Sequence, residues 1–246
     1  MKETTYKLTI AYDGTRFSGW QKQSNTDNTI QAILENALHT ILGESVELIG
    51  ASRTDAGVHS NGQAASFVTR KNLAPGAITG RLNEQLPSDI AVLRTERMPA
   101  RFHARYNAKG KTYSYRIWNA VVRSPFHRKH SLWVPEPLDL DTMRTAADLL
   151  VGEHNFKAFS TGKTNKSTVK KLDSLTIARE GDMVTLTFCG NGFLYNMVRI
   201  LAGTLIECGL HTREPQTAAD ALTGMDRQLA GYTTPPNGLF LEEVHY

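Results

Sequence analysis

The segment VELIGASRTDAGVHSNGQAASFVT, Val46 to Thr69, decides how the first half of the chain is read. Its apolar ends enclose a span of small, polar and glycine residues, so it reads as strand, loop, strand. Arg53 and Asp55 stand two apart in the loop, just before Gly57. In extended chain, positions i and i+2 point to the same side, so the two side chains are expected to pair. An arginine neighbour lowers a carboxylate's pKa, so Asp55 is expected to be ionised near neutrality, which suits a nucleophile or a base rather than a general acid. R-x-D alone describes an ordinary surface ion pair equally well.

Outward from this segment the elements follow a plan. Tyr6, Leu8, Ile10 and Tyr12 alternate on one face, predicting a strand that ends at Asp13-Gly14. From Ile30 to Leu42 the apolar residues follow helical spacing, with Asn28 and Gln31 at capping-box positions and Gly43 as the stop. A helix in PGAITGRLNEQL and a strand in IAVLRTER complete a β-α-β-β-α-β order. The second half repeats the theme. KTYSYRIW is a strand, LDLDTMRTAADLLVG a helix capped by Asp141, and LDSLTIARE with DMVTLTFC a hairpin. GFLYNMVRILAGTLIECG reads as a long helix, followed by a short helix near Gln216–Leu222, the turn PPNG and the strand LFLEEVHY. The fold class expected is α+β: two split β-α-β units on mainly antiparallel sheets, residues 1–107 and 108–246.

The 246 residues suit one large domain or two ordinary ones. There is no signal-like apolar run at the start and no stretch of eighteen apolar residues, so no membrane partner is expected. Cys189 and Cys208 each lie in apolar periodic segments, as two free thiols of a reducing cytosol would. The net charge is +4, but it is unevenly placed. Arg101–His130 holds eight Lys or Arg and no acid, and His154–Leu172 holds five lysines and no acid. The rest of the chain sets 15 bases against 24 acids. The first basic run also carries Phe102, Tyr106, Tyr113, Tyr115, Trp118 and Phe126. Bases that displace counterions, interleaved with rings that stack, point to unpaired RNA.

Several chemistries lack their parts. A glycosidase needs two carboxylates, and no second acid lies near Asp55 in sequence. Asp55 and His59 have no further ligands nearby to complete a metal set, and there is no phosphate-binding glycine loop. Neither a metal nor a cofactor is expected.

RTDAGVH, with GQ just after it, resembles the catalytic motif of the tRNA pseudouridine synthase A family. AYDGTRFSGWQ with TIQAILENAL, RFHARYNAKGKTYSYRI, FLYNMVRILAGTL and GLFLEEVHY match that family in the same order. The resemblance implies a cofactor-free isomerase of tRNA uridines, acting in the anticodon arm at positions 38–40. It also implies a basic cleft between two domains and a homodimer, while the two thiols point to a cytoplasmic location. The family's catalytic aspartate falls on Asp55 and its arginine partner on Arg53. The stacking aromatic falls on Tyr113 and the second active-site arginine on Arg199, while Lys109 and Lys111 are placed to touch phosphates. Ser52, Ser60 and Tyr195 depart from residues common in the family, which bears on RNA fit rather than on the reactive groups. Two other readings stay open: a synthase acting on another RNA, and a non-catalytic RNA-binding module.

Overall fold

Alternation makes the first strand. In β1 (Thr4–Tyr12), Tyr6, Leu8, Ile10 and Tyr12 are all buried, on the face that the helices cover. The computed structural model describes residues 3–162, 165 and 167–246. The chain divides into two compact units, Met1–Lys109 with Phe240–Tyr246, and Gly110–Leu239.

In the first unit β1 is followed by α1 (Ile30–Leu42), β2 (Ile49–Gly50), β3 (His59–Thr69), α2 (Pro75–Gln85) and β4 (Ile90–Met98). The β-α-β-β-α-β order expected from the sequence is the one observed. β1 lies between β3 and β4, antiparallel to both, and β2 pairs antiparallel with β3 at Ile49–Ser66. Ile30, Leu34 and Leu38 of α1, with Ile78 and Leu82 of α2, close the core over Phe67, Ile90 and Val92. Each such fully buried side chain contributes about 1.5–3 kcal/mol relative to exposure. Gly43 stops α1 in the left-handed conformation, at φ 69°.

The cap of α1 is Thr29, not Asn28. Thr29 has the extended backbone of a cap and its hydroxyl accepts from Ala32 N at 3.3 Å. Asn28 instead donates to the Arg16 carbonyl at 2.6 Å. Gln31, expected to complete a capping box, donates to the Leu48 carbonyl at 3.0 Å.

The second unit contains β5 (Gly110–Trp118), β6 (Leu132–Trp133), α3 (Leu140–Asp148), β7 (Gly152–Asn155), β8 (Val169–Glu180), β9 (Met183–Gly190), α4 (Met197–Gly209) and α5 (Thr217–Gly224). Its sheet runs β5-β9-β8-β7, all antiparallel, with β6 parallel on the other edge of β5. Asp139, rather than Asp141, caps α3, accepting from Asp141 N at 3.0 Å and Thr142 N at 3.1 Å; Asp141 is already in the first turn. The helix expected from Gly192 begins only at Met197, because Asn196 takes φ 60° and breaks the pattern before it.

The chain's last strand, β10 (Leu239–His245), leaves the second unit. Phe240 and Leu241 pair in parallel with His59 and Ser60 of β3, on the edge that β2 also uses. Ser60 Oγ donates to the Leu241 carbonyl at 3.0 Å, and Lys109 N donates to the His245 carbonyl at 2.8 Å. A linear division at 107/108 makes no provision for this return. Cys189 and Cys208 are free, and burial pushes the Cys208 thiol up to about 11. Among the described residues no helix is long and apolar enough to cross a membrane.

Candidate active site

The loop between β2 and β3 carries Arg53 and Asp55, and residues far off in sequence hold it. Gln63 of β3 is fully buried, and its amide brackets Ser52 by accepting from the Ser52 N–H at 3.2 Å and donating to the Ser52 carbonyl at 2.9 Å. Trp20 N donates to the Thr54 carbonyl at 3.0 Å, while the Tyr12 and Thr54 hydroxyls share a buried hydrogen bond of 2.7 Å. The loop closes through Val58 N donating to the Asp55 carbonyl at 3.2 Å, with Gly57 at φ 78°. Only glycine fits at 14: a β-carbon there would lie 1.9 Å from the Val58 carbonyl oxygen. AYDGTRFSGWQ is thus the wall on which RTDAGVH is built, and GQ is the latch.

This leaves Asp55 half-buried and Arg53 exposed at the surface. Residues 51–58 are loop rather than ladder-paired strand. His59, 1% exposed, accepts from Gly14 N at Nδ1 (3.1 Å) and stacks on Phe240 with centroids 4.6 Å apart, which makes it part of the scaffold.

The second unit carries Tyr113 and Arg199. Tyr113 lies in β5 opposite Phe188, is 7% exposed, and meets the Phe193 ring edge-on at 5.1 Å. Arg199 sits in the first turn of α4. Its Nε donates to the Thr234 carbonyl at 2.6 Å and its Nη1 to Asn196 Oδ1 at 2.9 Å. Thr234 answers through N and Oγ1, both donating to the Arg199 carbonyl, at 3.3 and 3.0 Å. Asn196 also donates to Thr161 Oγ1 at 2.9 Å. Two partners therefore fix the guanidinium before any substrate arrives. The Phe193 loop connects β9, the neighbour of Tyr113's strand, to the helix of Arg199, so this unit holds the aromatic and the cation on joined elements.

Lys109 is exposed and Lys111 half-buried, at the entrance to β5. In the second basic run Lys171 pairs with Asp173 at 2.9 Å, and Lys163 and Lys166 lie outside the described residues. Gln63, Thr54, Asn196 and Thr234 were not marked as site residues by sequence reasoning. Gln63, Thr54 and Asn196 sit inside the quoted motifs GQ, RTDAGVH and YNMVR, while Thr234 lies in none of them.

A model of the tRNA pseudouridine synthase family matches residues 8–107 and 146–246. The chain belongs to the tRNA pseudouridine synthase A family. It is 45% identical over 242 residues to a tRNA pseudouridine synthase A of Bacillus sp. (strain KSM-64), covering 98% of this chain and 99% of that protein. The same identity, over 243 residues, relates it to the Pelobacter propionicus protein of that name. A Clostridium tetani tRNA pseudouridine synthase A 2 is 43% identical, with 98% of each chain covered. Those alignments run through both quoted halves, so the RTDAGVH loop and the YNMVR helix lie in the matched length.

Proposed function

We propose that this enzyme, an isomerase converting uridine to pseudouridine in tRNA, uses Asp55 as its reacting carboxylate. The reaction breaks the N1–C1′ bond and forms C5–C1′; C5 loses its proton and N1 gains one. Nothing is oxidised and no group donor is consumed, so one placed carboxylate and a means of holding the base suffice. Asp55 attacks the sugar or the base, or takes a proton from the sugar; all three begin from the ionised form. The observation that carries this reading is the loop itself. Ser52, Thr54 and Val58 are each held by a distant residue, while the intervening Asp55 is the half-buried carboxylate of that frame.

Tyr113 stacks on the target uracil, and Arg199, preset by Asn196 and Thr234, holds the same nucleotide. Taking a base out of its stack costs a few kcal/mol, and an aromatic platform returns about 1–3 kcal/mol of it. Arg53, exposed and beside Asp55 in sequence, meets the RNA. Lys109 and Lys111 contact phosphates. The substrate region is the anticodon arm, at positions 38–40, and the working form is a homodimer in the cytoplasm, in keeping with two free thiols. Incubating the protein with total RNA lacking pseudouridine and mapping the modified sites tests this. Sites confined to tRNA positions 38–40 support it; sites in another RNA, or none, refute it.

A further inference from the structure

Tyr106 is 80% exposed, yet it is not a loose surface ring. Its ring stacks on His103 with centroids 4.1 Å apart and planes at 27°. His103 is itself fixed: its Nδ1 accepts from Arg105 N and Tyr106 N, both at 3.2 Å, and its own N–H donates to Asn107 Oδ1 at 2.7 Å. Asn107 N closes the turn on the His103 carbonyl at 3.0 Å. Ala104, within that turn, is buried and anchored twice: its N–H donates to Ser66 Oγ at 3.0 Å, and its carbonyl accepts from Tyr246 Oη at 2.9 Å. The turn is thus tied to β3 and to the chain's last residue. One face of the Tyr106 ring is backed by imidazole, and the other is open to solvent.

A single exposed apolar residue ordinarily needs no explanation. This one differs because six hydrogen bonds and a stacked ring hold an aromatic face outward. Cations surround it in sequence: Arg101, Arg105 and Lys109 lie within the acid-free run. Arg105 also reaches toward the Asp55 loop, its Nη2 donating to the Gly50 carbonyl at 3.2 Å. Burial, and then the nearby Arg53 cation, hold Arg105 below the ordinary guanidinium value.

From this geometry we infer that the His103–Tyr106 pair is a stacking platform for an unpaired RNA nucleotide other than the target uridine, with Arg105, its neighbour in the chain, taking the phosphate. The inference rests on the reading of the protein as a tRNA enzyme and adds a second base-holding site to it. Rings offered to bases without hydrogen-bond readout grip any base, so the platform contributes affinity and register rather than sequence choice.

The test is a fluorescence-anisotropy titration of a labelled, unmodified tRNA transcript with wild-type protein, Tyr106→Ala and Tyr106→Phe. Tyr106→Ala is expected to weaken Kd about 5- to 150-fold, the equivalent of about 1–3 kcal/mol of stacking at about 1.4 kcal/mol per tenfold. Tyr106→Phe should stay within about twofold of wild type, because the ring and not the hydroxyl binds. The slope of log Kd against log salt should not change in Tyr106→Ala, since no phosphate contact is removed. An unchanged Kd in Tyr106→Ala overturns the proposal, and would leave the platform to a protein partner. An equal loss in Tyr106→Phe also overturns it, by assigning the effect to the hydroxyl. Failure of the wider reading is separate: a wild-type protein that forms no pseudouridine in this transcript refutes that reading, whatever Tyr106→Ala does to Kd.

Discussion

Replacing Gln63 by alanine should unlatch the Asp55 loop without touching any group proposed to meet RNA. The side chain is fully buried, and its amide makes two hydrogen bonds to the Ser52 backbone, at 3.2 and 2.9 Å. Alanine leaves the Ser52 N–H and carbonyl buried without those partners, each at about 1–3 kcal/mol, and some of that is recovered if water enters. We expect a net loss of about 2–4 kcal/mol, a large part of the roughly 5–15 kcal/mol typical of a domain. Urea denaturation reads the stability, and release of tritium from C5-labelled uridine in tRNA reads the reaction. Gln63→Glu sharpens the test. An ionised carboxylate would face the Ser52 carbonyl oxygen in a buried site, so the folded-state pKa of the introduced side chain would be raised above its unfolded value. Its stabilising contribution is then present at low pH and lost as pH rises through the folded pKa. The deficit of Gln63→Glu against wild type should therefore shrink on acidification, while that of Gln63→Ala should not. A Gln63→Ala protein within about 0.5 kcal/mol of wild type and fully active would refute the view that this amide holds the loop.

Asn196→Gly should keep stability within about 1 kcal/mol, because glycine adopts φ 60° freely, yet turnover should fall about tenfold as Arg199 loses its Oδ1 partner. Asn196→Ala should show the same catalytic loss together with about 1 kcal/mol of strain, seen in thermal unfolding; equal activity of all three proteins would refute the positioning role. Neutralising Lys109 and Lys111 together should reduce the salt slope of tRNA binding by about 0.7–0.9 for each phosphate they neutralise, and an unchanged slope would make them ordinary surface lysines.

What the sequence disclosed depended on range. β1 and α1 were legible because their apolar residues repeat at 2 and 3.6, and burial follows that repeat. Caps were read one or two residues off, at Asn28 for Thr29 and Asp141 for Asp139, because several polar residues cluster there and only backbone angles choose among them. β6 and β7 are two and four residues long, too short for a period to show. The return of Phe240–Tyr246 to the first unit is a pairing across most of the chain, which no local pattern encodes. The family resemblance marked Asp55, Arg53, Tyr113 and Arg199. It gave no role to Gln63, Asn196 or Thr234, whose work is to hold those residues or their loops by hydrogen bonds between separate segments.

Asp55→Asn tests the central claim most directly. It keeps the side chain's size and most of its hydrogen-bonding capacity while removing the charge of the proposed reacting group. Wild type and Asp55→Asn are compared in single turnover, with saturating enzyme and C5-tritiated tRNA, beside a titration of tRNA binding. The account predicts a loss of a thousandfold or more in the chemical step, on the order expected when a reacting group is removed, with tRNA affinity close to wild type. An Asp55→Asn protein that isomerises uridine at a tenth of the wild-type rate or faster would contradict it and make Asp55 structural.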